Sequence, residues 1–148
     1  MISIWTCQLG AREFGDSPTA CQGRQVALTI RTVAKALPDL VWYASDVLAP
    51  GAPFWTRFQG STPTQVGLSD EAAREAEEVP QFESGVFVGV PDRVIDPQFR
   101  IGGVWTEDGD DADLGDGVVE IRAFDTDYIL VAASSPKVRE HFASGLGD

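Results

Sequence analysis

Six acids in ten residues, Glu107, Asp108, Asp110, Asp111, Asp113 and Asp116, are the densest concentration of chemistry-bearing side chains in the chain. Carboxylates so spaced can hold a cation, meet a basic partner, or simply stay solvated. An EF-hand calcium loop demands an oxygen ligand at its fifth position, glycine at its sixth and Glu at its twelfth. A frame starting at Asp108 puts Ala112 fifth, Asp113 sixth and Val119 twelfth, and one starting at Asp111 puts Asp116 sixth and Arg122 twelfth. Both frames fail. The interleaved Gly109 and Gly115 and the lack of apolar periodicity mark a loop. A solvated loop, a docking surface for a basic partner and an irregular cation site remain as its readings, and no metal or cofactor is expected.

A second cluster is aromatic. Phe54-Trp55-Thr56-Arg57-Phe58 lies between Pro53 and Gly60, in a segment punctuated too often for regular structure. Three large rings and an Arg there either fold back over the core or face a partner, since Trp, Tyr and Arg dominate interface hot spots. Phe54, Trp55 and Arg57 therefore join the acids as candidate contact residues. A ligand-binding or enzymatic alternative places a pocket near Trp42, Tyr43, Trp55 and Trp105, with Asp46 or His141 as acid/base. Asp46 also reads as a turn or cap residue with Ser45, and His141 as a surface residue near a helix C-terminus.

Other chemistries find little support. His141 is the only histidine, and Cys7 and Cys21 are the only cysteines, so a Cys/His zinc site does not assemble within one chain. Neither a Gly-x-Gly-x-x-Gly nor a Walker loop is present. Residues 1–7 lack the basic and long apolar regions of a secretory signal, so the expected compartment is the cytoplasm and the two thiols are expected reduced, although they could pair across the intervening loop. The segment Ile121-Arg122-Ala123-Phe124-Asp125-Thr126-Asp127 resembles the Asp-x-Asp nucleophile loop of haloacid-dehalogenase-type phosphotransferases, in which one carboxylate attacks phosphorus and the other serves as acid/base. That motif closes the first strand of a parallel α/β domain, whereas here only 21 residues follow Asp127. Two aspartates in a hairpin turn are the simpler reading.

The chain of 148 residues is 43% hydrophobic, with a formal charge of −12, which suits one globular domain with a real core. The charge is unevenly spread: residues 1–66 hold four acids and five bases, and residues 67–148 hold 19 acids and six bases. Phosphates would be repelled, which argues against sequence-independent binding to nucleic acid. No apolar run approaches the roughly 20 residues that cross a bilayer.

The elements that must position these groups follow from periodicity. Residues 2–6 read as a short strand, within a stretch to residue 24 otherwise readable as an irregular extension. From Gln25, alternation favours a strand to Ile30 and then a short helix to Leu37, ended by Pro38. Residues 40–44 read as a buried strand, 49–67 as irregular, and 69–79 as a helix with Ser69 as its N-cap. Residues 84–90 form a strand, and 117–124 and 128–132 pair as an antiparallel hairpin through Asp125-Thr126-Asp127. Ser135 followed by Pro136 opens a last helix with Val138, Phe142 and Leu146 as its stripe. The sum is a single α+β domain spanning 1–148, with a mainly antiparallel sheet and two to three helices, one of them C-terminal.

The arrangement Leu40-Val41-Trp42-Tyr43-Ala44-Ser45-Asp46-Val47, then Phe82-Glu83-Ser84-Gly85-Val86-Phe87-Val88-Gly89-Val90, then Leu114-Gly115-Asp116-Gly117-Val118-Val119-Glu120-Ile121-Arg122-Ala123-Phe124-Asp125 resembles small bacterial proteins of the immunity type. The resemblance spans residues 25–143. It implies a non-enzymatic protein that binds and blocks a toxin, and it carries no catalytic residues. Together with the acidic half, it gives the functional expectation: a cytoplasmic inhibitor of a basic protein partner, such as a toxin or a nucleic-acid-handling protein. An anti-defence inhibitor from a mobile element and a subunit of a larger assembly fit the same residues.

Overall fold

A computed structural model of the protein describes residues 3–15 and 17–146; Ile2 of the expected first strand and Asp16 lie outside them. In chain order the elements are β1 (Trp5–Gly10), α1 (Gly23–Ala36), β2 (Leu40–Leu48), β3 (Thr64–Leu68), α2 (Ser69–Glu77), β4 (Ser84–Pro91), β5 (Val119–Phe124), β6 (Tyr128–Ala133) and α3 (Pro136–Ala143). The strands form one six-stranded sheet in the order β1-β6-β5-β4-β2-β3, with every neighbouring pair antiparallel. The α+β expectation holds.

The hairpin of β5 and β6 forms as the sequence predicts, pairing Phe124 with Tyr128 and Val119 with Ala133. Asp125 takes the left-handed conformation that its short polar side chain tolerates, and Asp127 N–H closes the turn on the Phe124 carbonyl at 2.9 Å. The last helix also starts where expected, its Ser135 hydroxyl accepting from Lys137 N–H.

Residues 25–30 are the main departure: they belong to α1, not to a strand. Val26, Ala27, Ile30 and Val33 form the buried stripe, while Leu28, which completes the strand-like alternation, is only half-buried. Two threonines that helices usually disfavour are accommodated because Thr29 and Thr32 donate to the carbonyls of Gln25 and Leu28, one turn back. At its start α1 meets the end of α2 so closely that a Cβ on Gly23 would lie 2.0 Å from the Val79 carbonyl oxygen. Gly23 N–H donates to that same oxygen at 2.9 Å.

Three smaller corrections concern edges and caps. The expected irregular stretch 49–67 contains a 3-10 turn, Pro53–Phe58, and the edge strand β3, in which Thr64, Gln65 and Leu68 are exposed and Val66 is half-buried. The N-terminal stretch is not wholly irregular either, because β1 runs to Gly10 and forms the opposite edge. The N-cap of α2 is Leu68, whose N–H is met by Glu71 at 3.2 Å. The Ser69 hydroxyl instead accepts from the indole of Trp42 at 2.8 Å.

Strand alternation gives the sheet two different faces. Trp42, Phe87, Ile121 and Val131 point to one, where they pack with the helices and with Trp55, Phe58 and Phe82. Val86, Val88 and Val90 point to the other, where Val104, Tyr43, Val94 and Phe99 join them. The long segment between β4 and β5 crosses that second face without a helix or strand.

Candidate functional site

The six clustered acids sit on this crossing segment, and its local pattern explains how it is held. Val104 and Thr106 turn inward and are buried, while Trp105 between them is 43% exposed. Val104 N–H donates to the Ser61 carbonyl, its own carbonyl accepts from the buried Ser45 hydroxyl, and Thr106 Oγ1 accepts from Gly85 N–H. Asp46, at an irregularity near the end of β2 and with a left-handed backbone, accepts from Thr106 N–H at 2.9 Å. Ser45 and Asp46 thus anchor the segment through bonds to chain-distant Val104 and Thr106, which corrects the expectation that they serve a local turn or cap.

Charges lock its second half. Glu120 and Arg122 project from β5 toward the segment and are each 1% exposed. Arg100 brings Nη2 to 2.9 Å from Glu120 Oε1, off the line of a good hydrogen bond, so the contact is counted as an ion pair. Arg122 donates to Glu120 Oε2 at 3.1 Å, to the Gly109 carbonyl at 3.1 Å, and to the Asp108 carbonyl. Arg100 also donates to Asp108 Oδ2 and to the Asp113 carbonyl, both at 2.8 Å. Burial alone would lower the Arg100 guanidinium, but the facing charges of Glu120 and Asp108 raise it instead. Partial burial likewise works to raise the Asp108 carboxyl, yet the N–H of Trp105 and the charges of Arg100 and Arg122 hold it below the ordinary carboxylate value.

The acidic run is therefore divided in two. Asp108 is structural. Asp113 and Asp116 are exposed but shape the loop by accepting from the N–H groups of Gly115 and Gln98. Glu107, Asp110 and Asp111 are exposed, and Glu107 and Asp110 lie close enough to the hairpin turn to act on Tyr128. The Tyr128 phenol is raised first by burial and then by the charges of Asp110, Asp127 and Glu107. An anionic surface thus assembles from two segments, with Tyr128 between them. Among the described residues no group of three or more His, Cys, Asp or Glu is placed to hold a metal ion.

The aromatic candidates lie elsewhere. Trp55 is 1% exposed, packed against Phe58, Phe82 and Phe87 on the helix-covered face, and its indole donates to the Glu75 carbonyl. It is a core residue, which corrects its place among the contact residues. Phe54 is half-buried beside it, and the exposed Arg57 lays its guanidinium 4.7 Å from the Phe54 ring centre. The two halves of the expected contact surface are consequently separated by the sheet. The folded-back reading of this loop is the one the packing matches.

The imagined shared pocket does not assemble. Trp42 and Tyr43 are consecutive in β2, so they point to opposite faces: Trp42 is buried under α2, whereas Tyr43 packs at a tilt against Phe99, ring centres 5.4 Å apart. A groove of about 540 Å³ beside Tyr43 is lined by Gln65, Asp96 and Phe99 but not by Trp42, Trp55 or Trp105. Asp46 is occupied by Thr106, and His141 is exposed on α3, its ring facing the Lys137 carbonyl. Cys7 and Cys21 are free; burial raises the Cys7 thiol to about 11 and the Cys21 thiol to about 12.

Sequence reasoning missed Arg100, Glu120 and Arg122. A signal existed in the hairpin, where opposite charges two residues apart must share one strand face. Read alone, it looks like an ordinary solvated face. Comparison with known proteins adds no relative: no family model, no curated protein and no solved structure matches this chain. Among the described residues no helix is long and apolar enough to cross a membrane.

Proposed function

We propose that the protein is a non-enzymatic binding protein whose acidic face engages a basic protein partner, in the manner of an immunity protein that neutralises a toxin. The supporting observation is that the acidic loop is fastened from beneath by the Arg100, Glu120, Arg122 and Asp108 network. A loop already held in place loses less conformational freedom on binding than a free acidic tail. Its exposed carboxylates would steer a basic partner and speed encounter.

The test separates steering acids from structural ones. Proteins from a lysate retained on the immobilised full chain are identified, made recombinantly, and their association rates measured at low and moderate salt. The reading expects a basic partner whose association slows at least about tenfold with added salt. Replacing Glu107, Asp110 and Asp111 with Gln, Asn and Asn should slow it likewise while leaving the melting temperature unchanged. Association indifferent to salt and to these substitutions would overturn the reading.

A further inference from the structure

The crossing segment also carries the most exposed apolar side chain of the described residues. Ile101 is fully exposed at the tip of a turn, and Trp105 stands exposed at its foot. An isolated exposed Ile on a mobile loop would be unremarkable, but this turn is tied to its neighbours at several points. Gly102 and Gly103 both take left-handed conformations, and a Cβ on Gly103 would come within 2.7 Å of Ser61. The Trp105 indole donates to the Gly102 carbonyl at 3.2 Å, which sets the ring against the turn. Arg100, immediately before Ile101, is tied to Glu120 and Asp108, and Asp108 accepts from Trp105 N–H. The turn and the acidic loop are thus joined in one hydrogen-bonded unit, with an apolar tip, an indole face and the exposed carboxylates of Glu107, Asp110 and Asp111 beyond.

We infer that Ile101 and Trp105 are the anchors of a docking surface for a basic polypeptide segment that carries an apolar side chain flanked by Lys or Arg. This rests on the acidic-face reading of function and names the part of the partner that this face would hold. Charge complementarity chooses the occupant: a second copy of a chain with a formal charge of −12 would bring like charges to the carboxylates. Exposed Ile101 and Trp105 offer an apolar side chain surface to cover, a guanidinium finds the indole face favourable, and neighbouring cations meet the acids. Rigid apolar anchors with a polar rim are the usual anatomy of an interface hot spot.

The probe is a display library of random sixteen-residue peptides selected on the immobilised full chain, with enriched peptides synthesised and titrated. The expected consensus places Lys or Arg on both sides of an apolar residue. Ile101→Asp and Trp105→Ala, each checked by circular dichroism and melting, should weaken these peptides about tenfold or more. Glu107→Gln with Asp110→Asn should weaken them less and increase the share of neutral peptides selected. Basic peptides that bind the Ile101 and Trp105 variants normally would overturn the anchor assignment while leaving the acidic-face reading standing. Enriched peptides without basic residues, or no enrichment, would overturn both. Concentration-dependent dimerisation abolished by Ile101→Asp would overturn the choice of occupant.

Discussion

The two faces of the one sheet are covered by different means. Under the helices, Trp55, Phe58, Phe82 and Phe87 pack ring against ring beside Trp42, whose indole donates to Ser69, and among the described residues no ion pair is buried with them. Under the crossing segment, three valines of β4 form a small apolar patch, and beside it lie buried Arg122 and Glu120 with the partly buried Arg100. Apolar contact is non-directional and supplies stability. Buried ion pairs supply little net stability, because their attraction is offset by the loss of hydration, but they demand one geometry. The difference teaches that the helix face holds the fold together while the charged face fixes where the acidic loop lies.

The largest effects should separate these roles. Trp55→Ala removes the ring contacts at the centre of the helix face and is expected to cost about 3–5 kcal/mol in urea unfolding. Glu120→Gln leaves buried Arg122 without its opposing charge and Arg100 with Asp108 alone, and a loss of about 3–5 kcal/mol is expected. The two then part company. Replacing Arg100, Glu120 and Arg122 together with Met, Leu and Met should restore stability to within about 1 kcal/mol of the parent or exceed it. Amide hydrogen exchange of residues 104–117 should nevertheless be faster in that triple variant, because the loop has lost its fastening. A triple variant as unstable as Glu120→Gln would break the comparison.

A smaller effect follows from pH. The native fold holds Asp108 ionised below the ordinary carboxylate range, so it binds protons less readily than in the unfolded chain. The stability it contributes is complete above about pH 4 and is lost as the pH falls through its depressed folded value. Acidification below about pH 4 should therefore speed exchange in the segment before the helix face opens. Asp108→Asn should remove that step and cost about 1–2 kcal/mol at neutral pH. Equal acid sensitivity in the variant would assign the transition to other carboxylates.

How far the sequence revealed the molecule divides along the same line. The β5–β6 hairpin, the strand through Trp42 and the α3 cap are local patterns, and they were legible. Residues 25–30 were not, because Val26 and Ile30 serve both periods and only the packing of α1 against α2 decides between them. β3 was invisible because in this short edge strand exposed Thr64, Gln65 and Leu68 surround a half-buried Val66, and Pro63 and Gly67 read as turn residues. The acidic loop was located correctly, but its fastening joins Arg100 to Glu120 across chain-distant positions, and no local pattern encodes that pairing. Trp55 misled for a related reason: an aromatic in an irregular segment looks the same whether it faces water or a core formed by residues far along the chain.

The finest test of the charged face uses its two tyrosines, the only ones in the chain. Burial raises both phenols, but the remaining causes differ: Asp96 acts on Tyr43, whereas Asp110, Asp127 and Glu107 act on Tyr128. Replacing exposed Asp110 by Asn should alter stability by less than about 0.5 kcal/mol. It should lower the Tyr128 pKa, because removing a nearby negative charge makes the phenolate easier to form. The fall should stop short of the ordinary tyrosine value, since burial, Asp127 and Glu107 remain. Tyr43 should not move, which makes it an internal reference in an alkaline absorbance titration, with Tyr43→Phe assigning the two transitions. A Tyr128 transition untouched by Asp110→Asn would place the loop tip away from the hairpin, and the anionic surface formed by the two segments would no longer stand.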